Sequence, residues 1–302
     1  MNRFTRTCII IAIILIVLGG VMAAAGASMG GFSQLRRTNI FNIFNMFKGK
    51  VSIGVNTADF DEDKSQPILT GDYTNEQMAK AEEVTELEAG IGGGRLIIKQ
   101  SDDEYFKAEV NTDLKFQCFV KNGKLSIKAF KGNVISNASN NTITLYIPEG
   151  ASIENIKIEL GAGTVDIDRL AAGEVSFDVG AGTVNADNMD AHKLSAELGA
   201  GKITINGTAM DAEIDIGMGS FKWTGNISRD MDLSCAMGSV DMGLKGEDEK
   251  GHNYRISCSA GSVTVGGRKY ASGISDMDID NGAPGTFDID CSMGNVNINF
   301  TE

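Results

Sequence analysis

The chain is poor in the side chains on which most enzymes and nucleic-acid binders depend. Its 302 residues include 2 His, 1 Trp, 3 Pro and 5 Cys. The two histidines, His192 and His252, are distant in sequence and each falls in a segment that reads as a turn. Neither a Ser-His-Asp set nor a histidine-rich metal site is expected from them. No two cysteines stand as Cys-x-x-Cys, so the thiol-redox signature is missing. Positive charge is also scarce. The 27 Lys and Arg are outnumbered by 40 Asp and Glu, the net charge is −13 and no basic stripe runs through the chain, which excludes a nucleic-acid partner. Carboxylates are plentiful enough for a glycosidase pair, but plenty does not fix placement, and Trp223 alone cannot line a sugar cleft. Catalysis is not expected, and no cofactor is implied.

What the chain does have is glycine, 37 of them, spaced with a purpose. From residue 156 to 300 the sequence repeats around small corners: Gly161-Ala162-Gly163, Gly180-Ala181-Gly182, Gly199-Ala200-Gly201, Gly217-Met218-Gly219, then Met237-Gly238, Ala260-Gly261 and Met293-Gly294. The last glycines fall at 163, 182, 201, 219, 238, 261 and 294, in steps of 19, 19, 18, 19, 23 and 33. A period this short fits one supersecondary unit per copy, which must stack on its neighbours to bury its apolar side.

Each copy alternates with period two, the signature of a strand, on both sides of its corner. Before the corner the apolar slots hold Ile156, Ile158 and Leu160, then Val175, Phe177 and Val179, then Leu194, Ala196 and Leu198. After it come Val165 and Ile167, Val184 and Ala186, Ile203 and Ile205. The parity changes across the corner, as it must if the chain bends and resumes facing the same core. Glycine is expected there because it accepts backbone angles that other residues resist. The pattern predicts an all-β solenoid. A helical repeat would need three- and four-residue apolar steps, and a calcium-binding nonapeptide solenoid would carry glycines in both halves of every coil. Upstream, Leu87 to Ile98 reads as a degenerate first corner. Lys121-Asn122-Gly123-Lys124 lies between two strand-like runs and predicts a tight hairpin.

The amino end differs. Arg3 and Arg6 precede an uncharged run over residues 7–34, long enough to cross a bilayer and also laid out like a secretory signal. The expected organisation is a membrane anchor or signal segment over 1–35, a juxtamembrane linker with a short amphipathic helix over 36–86, and a solenoid over 87–302. Arg36, Arg37, Lys48 and Lys50 follow the apolar run and, by the positive-inside count, favour a cytoplasmic solenoid; the secretory layout favours an extracytoplasmic one, which is the placement adopted. Asp59-Phe60-Asp61-Glu62-Asp63 has the charge of a calcium loop, but Lys64 stands where such a loop needs glycine, so it reads as solvated linker.

Leu145-Tyr146-Ile147-Pro148-Glu149-Gly150, followed after a spacer by the run from Ile156 to Ile167 through Gly161-Ala162-Gly163, resembles the bacterial toastrack family of adhesin-type repeats, which includes LiaG-like proteins. The resemblance covers roughly residues 86–302. It implies a right-handed, single-stranded β-helix beside a membrane segment, with a part in envelope-stress signalling or complex assembly, and it supplies no catalytic residues. On this reading the partners are other envelope or membrane proteins, or a cell-wall polymer, and the alternative is a surface adhesin for an extracellular ligand. The chain departs from the pattern where residues 243–253 and 266–285 lengthen the turns, and these loops are candidate binding surfaces.

Two sets of residues are singled out by register. Cys235, Cys258 and Cys291 share one inward slot with Val179, Leu198 and Ile216, and are expected as a buried file of thiols with a structural role. Glu159, Asp178, Glu197 and Asp215 share one outward slot in four successive copies. Stacked about 4.8 Å apart, such carboxylates either splay into water or hold a divalent cation, with Asp166, Asp168 and Asp187 as added ligands; splaying is the plainer expectation.

Overall fold

The structure is a computed structural model that describes residues 68–69, 71–112, 115–129, 141–246, 248–272 and 275–301. The expected anchor over 1–35, the amphipathic stretch near Phe41 and the acidic segment at Asp59 to Asp63 lie outside the described residues. Among those described, no helix is long and apolar enough to cross a membrane. They all fall within one of the chain's two compact units, residues 47–131 together with 137–302.

One sheet of 21 strands winds through this unit. Each coil carries a rung ahead of its glycine corner, on what we term the leading face, and a rung after it, on the trailing face. In spatial order the leading rungs are β6 (Lys124–Ala129), β2 (Glu86–Ile91), β8 (Ile153–Leu160), β10 (Leu170–Val179), the second halves of β11 (Thr183–Leu198) and β12 (Lys202–Ile216), β14 (Met231–Cys235), β20 (Gly285–Cys291) and β16 (His252–Cys258), each parallel to the next. The trailing rungs are β7 (Thr142–Pro148), β3 (Arg95–Ser101), β9 (Thr164–Ile167), the first halves of β11 and β12, β13 (Ser220–Ile227), β15 (Ser239–Lys245), β21 (Asn295–Thr301) and β17 (Ser262–Val265). Apart from one-turn 3-10 helices at Ala81–Glu83 and Glu249–Gly251, the described elements are strands.

The alternation read from sequence is the burial pattern. Val175 and Phe177 are buried between exposed or half-buried neighbours, as are Ile203, Ile205, Phe221 and Trp223. Inward files balance volume from coil to coil: Phe177 stacks between Ile158 and Ala196, and Trp223 between Ile205 and Met242. A narrow core of this kind fills only if a large residue in one coil meets a small or flexible one in the next.

Glycine serves mainly a purpose other than the one expected. At Gly201 a Cβ would lie 1.9 Å from the carbonyl oxygen of Gly182 in the adjacent coil, and at Gly182 it would lie 2.3 Å from Leu160 Cδ2. Neither position has the left-handed backbone that alone would demand glycine, so close stacking of coils is what excludes a side chain there. Gly163 needs both, with φ at 132° and Gly94 O at 2.1 Å.

Sequence order and spatial order part company at both ends. The coil of β2 and β3 is covered by the later β6 and β7, and the final coil of β20 and β21 slides between β14–β15 and β16–β17. The outer coils carry the edge protection. β5 (Phe116–Lys121) pairs antiparallel with β6 through the predicted hairpin, whose Asn122 and Gly123 have φ of 53° and 79°. β4 (Tyr105–Asn111) lies antiparallel on β7 and is itself covered by β1 (Tyr73–Lys80), which falls in the stretch read from sequence as linker. At the other end β18 (Arg268–Ser272) and β19 (Ser275–Ile279) run antiparallel to β17 and β16. The insertion over 266–285, expected as a surface loop, therefore contains two strands that cover the ladder ends, where unpaired backbone would otherwise template aggregation. The insertion over 243–253 holds the end of β15, the 3-10 turn and the start of β16.

Candidate functional site

On the leading face, period two puts every second side chain outward, and parallel in-register pairing aligns these into rows. Nearest the glycine corner stand Glu159, Asp178, Glu197, Asp215, Ser234, Asp290 and Ser257, with Asp276 closing the row on β19. The four carboxylates expected in one slot are indeed consecutive members of one row. Two residues earlier runs a second row: Glu88, Lys157, Ser176, Ser195, Glu213, Asp232, Asp288, Arg255 and Asp278.

Cations sit at the two ends of this face. Lys124 and Lys128 pair with Glu88, and Lys157 pairs with Glu159. Arg255 bonds Asp288 at 2.6 Å and approaches Asp278 at 3.8 Å. Between these ends the two rows hold no Lys or Arg, although Lys193 approaches Glu213 from the side at 3.5 Å. Two carboxyls in the middle of the face have raised proton affinity. Partial burial, followed by the charges of Glu213 and Asp232, raises the carboxyl of Asp215 above the usual aspartate value. Asp232 is raised by burial and then by Asp288, Glu213 and Asp290. Among the described residues no three His, Cys, Asp or Glu side chains converge as a metal-holding group. Of the added ligands considered above, Asp166 lies on the trailing face, where it takes hydrogen bonds from Arg95 Nε and Asn185 Nδ2 at 2.8 and 2.9 Å. Asp187 accepts from Asn206 at 2.6 Å, and the backbone carbonyl of Asp168 accepts from Asn188 at 3.2 Å.

The trailing face has a different chemistry. Its rows run Thr164, Thr183, Lys202, Ser220, Ser239, Asn295 and Ser262, and Asp166, Asn185, Thr204, Lys222, Asp241, Asn297 and Thr264. Hydroxyl and amide groups dominate, and the aspartates are tied to neighbours, as in Asn297 to Asp241 at 3.1 Å.

The remaining candidates have structural places. Cys235, Cys291 and Cys258 form a buried file with Cys291 in the middle, and all three are free thiols. Trp223 is fully buried. His192 is exposed within β11, while His252 opens β16, buried and stacked on Phe287 at 4.0 Å between ring centroids. Both histidines are in strands and not in turns: His192 because β11 continues unbroken through its segment, and His252 because β16 begins directly after the 3-10 turn. An open depression of about 370 Å³ is lined by Glu76, Gln77, Asp103, Glu104, Tyr105 and Lys107, a polar rim without the apolar floor of a small-molecule site. Sequence reasoning missed the extension of the acidic rows through Asp290 and Asp276, since these join only through the inserted last coil and the antiparallel cap.

A parallel solenoid with glycine corners, capped at both ends by antiparallel strands and bearing an acidic and a neutral polar face, defines a repeat scaffold of the toastrack type. Residues 86–302 match the Toastrack DUF4097 family, and the chain belongs to it. No curated protein matches the chain. Among solved structures it is similar to a Bacteroides fragilis protein described provisionally as an adhesin, with 17% identity over 78% of this chain and 97% of that one at a TM-score of 0.47. A Clostridium sporogenes protein described provisionally as a cell adhesion protein matches with 13% identity over 76% and 100% of the two chains, TM-score 0.29. A Parabacteroides distasonis protein described provisionally as lipid binding matches with 14% identity over 77% and 97%, TM-score 0.38.

Proposed function

We propose that the chain is a non-enzymatic interaction platform at the bacterial cell envelope, tethered by residues 1–35, whose leading face docks a basic segment of another envelope protein. The observation that carries this reading is the run of Glu213, Asp215, Asp232, Asp288 and Asp290 on three consecutive rungs, in rows with no interleaved cation between Lys157 and Arg255. Asp215 and Asp232, raised first by burial and then by their carboxylate neighbours, carry an electrostatic cost that a Lys- or Arg-rich partner would relieve. Docking of this kind suits complex assembly and the sensing of envelope stress. The right-handed winding implied by the family resemblance belongs to the same reading, and the strong preference of parallel crossovers for that hand supports it.

The trailing face supports a second reading. Its hydroxyls and amides suit a neutral polysaccharide, either of the cell's own wall or of a surface met by an adhesin. The test is photo-crosslinking in intact cells from Glu197 or Asp232 on the leading face and from Thr183 or Asn185 on the trailing one. Capture of one envelope protein from the leading positions only, weakened by salt, is the expected result. Equal capture from both faces, or capture of an extracellular ligand alone, overturns it.

A further inference from the structure

The middle position of the glycine corner is exposed in seven successive coils, and its identity changes along the stack. In register it is Ala162, Ala181 and Ala200, then Met218, Met237 and Met293, then Ala260, linked coil to coil by backbone hydrogen bonds such as Met237 N to Gly217 O at 2.8 Å and Met293 N to Ala236 O at 2.6 Å. The three methionines are contiguous only in space. In sequence the alanine copy at 260 separates Met237 from Met293, and insertion of the last coil beneath β16 brings them together. Met218 and Met293 are each 52% exposed and Met237 is 38% exposed. The alanines in the same slot show that the fold asks for nothing larger there, so packing does not account for three large apolar side chains turned to solvent.

We propose that Met218, Met237 and Met293 form a surface site for a soft monovalent cation, Cu(I) or its analogue Ag(I), held by three thioether sulfurs. Thioethers are soft donors that select Cu(I) over hard divalent ions. Consecutive rungs lie about 4.8 Å apart, and methionine's rotatable bonds let the outer two side chains lean toward the middle one with no movement of the backbone. Asp215 and Asp290 stand three residues before Met218 and Met293 on the adjoining leading face, supplying a negative field that concentrates cations at the ridge. Ser220, Ser239 and Asn295 on the trailing side are short and leave the ridge open. This site goes beyond the docking reading and does not depend on it.

The test is titration of the purified full-length chain with Ag(I), and with Cu(I) against a competing chelator, followed by NMR of methyl-labelled methionine. The expected result is saturation at about one ion per chain, with shifts confined to the methyls of Met218, Met237 and Met293. Met237→Leu, a near-isosteric change on the surface, should weaken binding by at least the roughly 10–100-fold that loss of a supporting group costs a metal site, while Met210→Leu leaves it unchanged. Thioethers carry no proton, so affinity should hold from about pH 7.5 to about 5.5, where a thiolate site would lose it. Binding that survives replacement of all three methionines by leucine, or that collapses on acidification, assigns the ion to the buried thiols and overturns the proposal. Absence of binding overturns it as well.

Discussion

Cys235 and Cys291 are direct neighbours on adjacent rungs, although the Cys258 copy lies between them in sequence and beyond them in space. The Cys291 thiol donates to the Ser262 carbonyl at 3.9 Å. The closeness of the two sulfurs pulls the Cys235 thiol below its ordinary value and pushes Cys291 above it; burial pushes Cys291 further the same way. In-register parallel strands point their Cβ atoms the same way, an unfavourable approach for an S–S bond. With Cys8 and Cys118 replaced by alanine, the expected outcome is three free thiols that fail to react with an aromatic disulfide reagent in the native protein and react fully in denaturant. Burst labelling under native conditions would contradict the sealed file.

Steric exclusion at the corners makes a sharp contrast between two glycines. Gly201→Ala would drive a methyl to 1.9 Å from a backbone carbonyl that cannot rotate away, so a loss of about 1–3 kcal/mol or more is expected. Gly150→Ala meets nothing within 4 Å and should be neutral or stabilise by up to about 1 kcal/mol. Thermal melting of the two variants checks both.

Much of this architecture was legible in the sequence because period and parity are local. The slots of Ile158, Phe177 and Ala196, the corner glycines and the Asn122-Gly123 hairpin follow from alternation and turn chemistry alone. The order of coils was not legible. Whether Cys291 stacks on Cys258 or slips beneath it depends on which coil carries the strands that protect an edge, and that is a property of the whole stack. The acidic row was visible as far as Asp215; its continuation to Asp290 required the same non-local information. Glycine at the corners was read correctly for position and incompletely for cause, since the carbonyl of the neighbouring coil is invisible in a linear repeat.

The acidic face should make stability depend on pH in two opposed ways. Asp215 and Asp232 have folded values above the unfolded aspartate value, so the folded state binds protons more readily; their cost to stability is present at neutral pH and is relieved as pH falls toward the unfolded value of 3.8. Arg229 beside Asp211 holds that carboxyl below 3.8, so its contribution is present above 3.8 and is lost as pH falls through the lower folded value. Asp215→Asn should therefore raise the melting temperature at neutral pH, and the gain should shrink as pH drops through the carboxylate range. Equal gains at both ends of that range would contradict a raised folded value for Asp215.

Screening gives a related expectation for Glu159, Asp178, Glu197 and Asp215. They occupy successive rungs of one row, and no three such groups converge among the described residues. Sodium chloride should stabilise the fold by damping repulsion, and calcium chloride at equal ionic strength should add nothing further. A melting temperature that climbs with calcium alone would instead establish a bound ion, because only ligation to the folded state gives that dependence.

Trp223 offers the most direct probe of the core, being the only tryptophan and fully buried between Ile205 and Met242. Its indole Nε1 has no hydrogen-bond partner, so the residue is held there by packing against an unpaid polar cost. Trp223→Ala removes the packing and leaves a cavity, for an expected loss of about 3–5 kcal/mol. Trp223→Phe removes the orphaned donor and keeps most of the volume, so it should lose no more than about 1.5 kcal/mol. At roughly 2–4 °C per kcal/mol for a domain of this size, the two variants should melt several degrees apart. In the native protein the emission of this single indole should be blue-shifted and should move to the red in one transition with denaturant. Equal losses for the two substitutions would contradict packing as what holds the residue there.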